Sequence, residues 1–144
     1  MTERARVEPK ITTQTLVLDV DRFDAAFQQP LFAQLSVIGP DAVLLAIGGQ
    51  PTPFALMTDA AVAMPRPNAL PAATSLSTSA SGSLPLATRL SKRYAAQIFL
   101  SLDLSSLSDA STGPGASDRA MLPLEKALLV QLDQVLERRQ RPPQ

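Results

Sequence analysis

Between Ala25 and Thr88 the chain carries charge only at Asp41, Asp59 and Arg66. So long a stretch with so little charge must either bury its side chains or lay them against a partner, because uncharged apolar surface left in water drives association. The scarcity is one of placement. Over all 144 residues there are 13 basic and 13 acidic side chains, a net charge of zero, and 45% of residues are hydrophobic. A chain of this length is one domain's worth and can bury enough surface for an independent core. Zero net charge offers no global field to attract nucleic acid or an anionic membrane.

Two absences narrow the chemistry. There is no cysteine and no histidine. Disulfides, thiol nucleophiles and thiolate metal sites go with the first, and the usual general base, zinc ligand and Ser-His pairings with the second. Met1 to Lys10 alternates charges instead of placing a basic patch before an apolar run, and Ala42 to Ile47 is too short to span a bilayer. The expectation is a soluble intracellular protein.

The pattern along the chain predicts strands first. Ile11 to Val20 is rich in threonine and aliphatic residues, with Leu16, Leu18 and Val20 on one face. Leu31 to Ile38 sets Leu31, Ala33, Leu35 and Val37 against Phe32, Gln34, Ser36 and Ile38. After the Gly39-Pro40-Asp41 turn, Ala42 to Ile47 is apolar throughout and reads as a strand covered on both faces. Phe54 to Met64 is ambiguous between helix and strand. Pro65, Pro67 and Pro71 impose extended or turn geometry, and Ala72 to Thr78 reads as a short strand. Ser83 is placed to cap a helix whose apolar stripe is Leu86, Leu90 and Tyr94, with Arg89, Lys92 and Arg93 toward solvent. Gln97 to Leu104 alternates as a strand, and Leu124 to Arg139 carries the spacing of a second helix. The fold class is α+β: a mainly antiparallel sheet of about six strands with two helices, as a single domain spanning 11–140. Residues 1–10 are expected to be a flexible leader, 105–117 a flexible polar loop, and 141–144 a tail.

Each candidate for chemistry has a simpler alternative. Gly48-Gly49 follows an apolar strand, yet it lacks both the third glycine of a dinucleotide fingerprint and the Gly-Lys-Ser/Thr of a P-loop. Asp19, Asp21 and Asp24 crowd one turn, but a calcium loop needs a denser oxygen set, and Arg22 sits among them. The serines and threonines from Thr74 to Ser83 have no histidine and no Ser-x-x-Lys spacing to activate them. No catalytic, cofactor-binding or metal-binding residue is expected. An interaction protein remains. Arg89, Lys92 and Arg93 form a small basic face, suited either to solvent or to an acidic rim on a partner.

Three segments carry a resemblance to a known family. Pro71-Ala-Ala-Thr-Ser-Leu76, Leu86-Ala-Thr-Arg-Leu-Ser-Lys92 and Gln97-Ile-Phe-Leu-Ser-Leu-Asp-Leu104 resemble the proteasome assembly chaperone 4 family. The first half is similar more loosely, through Leu35 to Ile47 and Ala60 to Met64. The resemblance implies a non-enzymatic chaperone that uses no cofactor. It would pair with a chaperone 3 paralogue, promote assembly of the α ring of the 20S proteasome, and leave before maturation. It further implies contact with the fifth α subunit, no nucleic acid or membrane partner, and a cytoplasmic and nuclear setting. Leu35, Val37, Leu44 and Phe99 are the expected dimer face, and Arg89, Lys92 and Arg93 the expected ring-facing rim. The alternative is a sheet-based scaffold subunit of another intracellular complex, in trafficking or signalling. A pocket with converging polar groups would favour an enzyme or ligand-binding domain instead.

Overall fold

The computed structural model describes residues 11–39, 41–50, 59–77, 82–104 and 116–140. The expected leader 1–10, the tail 141–144 and the loop as far as residue 115 lie outside the described residues. Six strands form one sheet: β1 (Ile11–Leu18), β2 (Leu31–Ile38), β3 (Ala42–Gly48), β4 (Asp59–Arg66), β5 (Ala69–Ser75) and β6 (Gln97–Leu102). Their spatial order is β1-β2-β3-β6-β4-β5. Every neighbouring pair is antiparallel except β3 with β6, which runs parallel. A parallel pair needs a long connection, and the β4–β5 hairpin and the first helix provide it here.

Two helices cover one face of this sheet. α1 (Ser83–Tyr94) lies over β4, β5 and β6, and α2 (Ala116–Gln140) over β1 and a 3-10 turn at Val20–Arg22. The alternation read from the sequence decides which residues meet them. Leu31, Ala33, Leu35 and Val37 of β2 are buried beneath the helices, as are Val43, Leu45 and Ile47 of β3 and Ile98, Leu100 and Leu102 of β6. Leu86, Leu90 and Tyr94 of α1 and Leu124, Leu128 and Leu132 of α2 face them as the expected stripes. Two left-handed backbone positions make the tight hairpins: Gly39 at φ 62 between β2 and β3, and Asn68 at φ 58 between β4 and β5.

Several boundaries differ from the sequence reading. The ambiguous segment resolves as strand from Asp59, and β5 begins at Ala69, earlier than expected, because Pro71 occupies an edge strand where no ladder donor is needed. α2 begins at Ala116, so the last two residues of the expected flexible loop, Ala116 and Ser117, are helical. Pro123 sits inside that helix without ending it; it lacks the N–H that would make one rung of the helix's own ladder, while Ala120 and Leu124 on either side are fully buried. The two-sided cover expected for β3 is also corrected: Leu44, pointing away from the helices, is 45% exposed.

The start of α1 is held from across the fold. The helix cap falls at Gly82, and no side chain of the local sequence caps it. Instead the Asp59 carboxylate, at the head of β4, accepts from the backbone N–H of Gly82 at 3.2 Å and of Ser83 at 3.3 Å, and from the Ser83 hydroxyl at 2.5 Å. Ser83 is therefore a buried donor and not the cap the sequence suggested. A carboxylate here also complements the positive end of the helix dipole. Asp59→Ala removes the acceptor for two backbone donors and is expected to cost about 1–2 kcal/mol, as capping losses do; urea denaturation of the two proteins measures it.

Candidate functional site

Among the described residues, no helix lies over the opposite face of the sheet. Paired residues in neighbouring strands share a face, so the register assembles rows across the sheet. One row is Thr13, Ser36, Leu44, Phe99, Val62 and Thr74, running through all six strands. Beside it runs a row of smaller groups, with Thr15, Gln34, Ala46, Ser101 and Ala60 in register. A third row pairs Ile11, Ile38, Ala42 and Gln97. None of these residues is charged.

This face exposes Ile11, Val17, Ile38, Leu44 and Met64, large apolar side chains that a sheet facing water would replace with polar ones. Its only internal polar link among the described residues of these rows joins the Thr13 and Ser36 hydroxyls at 3.0 Å. Six strands span about 24 Å and the strands run about 20–25 Å, which gives a projected area of roughly 500–600 Å². Side-chain relief brings that near the ~800 Å² per partner of a standard protein interface. The rows are uncharged and partly apolar, and the area is of the order of a protein interface. Among the described residues no group of acidic side chains is arranged to hold a metal ion, and Asp19, Asp21 and Asp24 form no such cluster. Among the described residues no helix is long and apolar enough to cross a membrane.

The structure divides the residues expected at the dimer face. Leu44 and Phe99 stand side by side on the open face in the parallel β3–β6 register. Leu35 and Val37 are on the other side, 0% and 1% exposed beneath the helices. They are core residues of the fold: successive side chains of a strand alternate between faces, so Ser36 shares the open side with Leu44, while Leu35 and Val37 on either side of it point to the helices. Val62, Met64 and Ile38 share the open side with Leu44 and Phe99. The signal was present in the sequence: β2, β3 and β6 lack charge at both alternating sets of positions.

The expected basic rim is also rearranged. Arg89 forms a two-pronged pair with Glu125 of α2, Nε to Oε1 and Nη2 to Oε2, both at 2.8 Å. Arg93 grips Asp133 in the same way at 3.1 and 2.7 Å, and the Tyr94 hydroxyl donates to that carboxylate at 2.7 Å. Arg89 and Arg93 thus tie α1 to α2, and their charges are matched within the fold. Lys92 is exposed, and no ion pair of Lys92 occurs among the described residues. The hydrogen bond from Arg93 holds the Asp133 carboxyl below its ordinary range. Burial, followed by the bond to Asp133, pushes the Tyr94 phenol well above the usual tyrosine value.

The family model for proteasome assembly chaperone 4 matches residues 30–104, just over half of the chain. That span runs from the residue before β2 to just beyond β6 and takes in α1, so it contains five of the six strands that build the open face. No curated protein matches the chain.

Tyr94 is the single tyrosine, and there is no tryptophan, so its ionisation can be read directly from absorbance near 295 nm. Because its folded pKa is raised, its stabilising contribution is complete below the unfolded tyrosine value of about 10 and is lost as pH rises through the folded value. Phenolate absorbance should therefore lag behind that of a free tyrosine on raising the pH, and Asp133→Asn should shift the titration toward the ordinary value. Asp133 has the opposite sign: its contribution is present above about pH 4 and lost as pH falls through its depressed folded value.

Proposed function

Because the chain belongs to the proteasome assembly chaperone 4 family, and is on that ground a chaperone of proteasome assembly, we propose that its open sheet face holds a paralogue of the chaperone 3 type and that the pair acts on the α ring of the 20S proteasome. The observation that supports this reading is the row of uncharged residues that crosses all six strands and that no described helix covers. A structurally similar paralogue offers a second sheet, and two such sheets packed about 10 Å apart enclose a common apolar layer. Leu44 and Phe99 lie in the central strand pair and would be at the middle of that layer, where binding energy concentrates.

The proposed mechanism is one of order, without covalent chemistry or a cofactor. Rings built from similar subunits fail when neighbours join in the wrong sequence. A chaperone that adds contact area to one correct intermediate and clashes with a later stage favours the correct path and is then released. With the sheet face occupied by the paralogue, the helix layer and the strand ends remain for the ring, and the fifth α subunit is the proposed contact. On this layer Lys92 is the cation to test. Reversing Arg89 or Arg93 would set like charges against Glu125 or Asp133 and loosen α2 as well. The proposed setting is the cytoplasm and the nucleus.

Two measurements test the reading. Co-expression with the paralogue should give a one-to-one complex, and Leu44→Asp with Phe99→Asp should abolish it; Phe99→Ala alone should weaken it by about 2 kcal/mol, roughly 30-fold. A paralogue that binds the double variant as well as the wild type would overturn the assigned face. In pull-downs, the complex should retain free α subunits, the fifth above the others, and not mature 20S particles; equal retention of mature particles would overturn the assembly role. Lys92→Glu should slow association with the α subunit at low salt and leave the chaperone pair intact.

A further inference from the structure

The two edges of the sheet are guarded unequally. β5 carries Pro71, its ladder with β4 is irregular between Met64 and Arg66, and the Arg66 Nε donates to the Leu70 carbonyl at 2.8 Å. These are devices that discourage a further strand from adding. β1, at the other edge, has none of them. Its sequence, Ile-Thr-Thr-Gln-Thr-Leu-Val-Leu, contains no charge, proline or glycine, and it pairs with β2 in unbroken register from Ile11↔Ile38 to Leu18↔Leu31. Residues 11–15 are exposed on both sides of the sheet, because the helix layer covers only Leu16 and Leu18 of this strand. Among the described residues no strand pairs with its outer edge.

We infer that β1 is a pairing edge for a second copy of this chain, antiparallel across a two-fold axis at Gln14. The choice of a second copy follows from the pattern of the strand itself. With Gln14 opposite Gln14, Ile11 stands opposite Val17 and Thr13 opposite Thr15 on the open-face side, while Thr12 stands opposite Leu16 on the helix side. β-Branched pairs and Thr–Thr pairs are favourable cross-strand neighbours, and no like charges are brought together. Moving the axis to Thr15 sets Ile11 against the charged Asp19, and moving it to Thr13 leaves Leu16 and Val17 without partners in the strand. The axis at Gln14 also falls in the half of β1 that the helices leave uncovered, so α2 does not obstruct it. The result is one continuous sheet of twelve strands with both helix layers on one side. Both open faces are then on the other side, available to the paralogue. One strand pair buries less than a standard interface, so the association is concentration-dependent.

The absence of cysteine makes a direct test available. Antiparallel partners have Cα atoms about 4.5–5.5 Å apart, inside the range of about 4.4–6.8 Å that a disulfide spans. Gln14→Cys would therefore place the only two thiols of the dimer within bonding distance. Thr12→Cys would separate its two copies by about four residues, roughly 13 Å, and should not link. Under mild oxidation, Gln14→Cys should yield at least tenfold more disulfide dimer than Thr12→Cys, and adding Thr13→Lys should suppress it. Sedimentation of the cysteine-free protein supplies the second measurement: Thr13→Lys should weaken self-association at least tenfold and leave the thermal melt unchanged. Equal linking at positions 12 and 14 would mean unspecific clustering and overturn the proposal. Failure of Gln14→Cys to link, or unchanged self-association of Thr13→Lys, would overturn it as well. Preferential linking of Phe99→Cys would show that copies meet through the open face instead, which bears on the face and rejects the edge.

Discussion

The structure depends on a sheet whose central strands are apolar on both sides while the described helices cover only one. β3 and β6 lie together in the middle of the sheet, and their helix-facing residues Val43, Leu45, Ile98 and Leu100 are almost fully buried. Burial of this kind, about 25 cal/mol per Å² of apolar surface, is the dominant favourable contribution to folding. Leu44 and Phe99, one residue along in each strand, are turned to the other side, where no described helix lies. The same strands that stabilise the monomer also create the surface it cannot satisfy alone.

The helix layer is fixed firmly, and that firmness has a consequence for recognition. Asp59 holds the start of α1, while Arg89–Glu125, Arg93–Asp133 and Tyr94–Asp133 hold α1 against α2. Exposed ion pairs contribute little individually, but two-pronged arginine pairs fix orientation as well as distance. Together these links join the head of β4, α1 and α2 into one fastened layer. Two of the charges that look free along α1 in the sequence are paired in this internal fastening, which leaves Lys92 as the cation of that helix with no ion pair among the described residues.

The two kinds of contact available to this chain have different physics. A face-to-face partner gains from apolar burial and shape, and a paralogue with a similar sheet meets both requirements. An edge-to-edge partner gains mainly from main-chain hydrogen bonds, and register is set by alternation along the strand. Because the open face and the edge lie at right angles, occupancy of one does not exclude the other.

The sequence by itself determined the elements and their two-sided character. Alternation in Leu31 to Ile38 and Gln97 to Leu104, and the spacing of Leu86, Leu90 and Tyr94, correctly divided the residues that meet the helices from those that do not, because side-chain direction follows from local backbone period. The three segments between Pro71 and Leu104 were also enough to indicate the family. Tertiary structure alone decided which side remained open, since a run such as Ala42 to Ile47 is apolar at every position and contains no mark of which face a helix will cover. It decided that Leu35 and Val37 belong to the core and Leu44 and Phe99 to the surface, that α2 continues through Pro123, and that a carboxylate 24 positions away caps α1 in place of Ser83. Those outcomes depend on contacts between segments distant in the chain, and local sequence preference carries no record of such contacts.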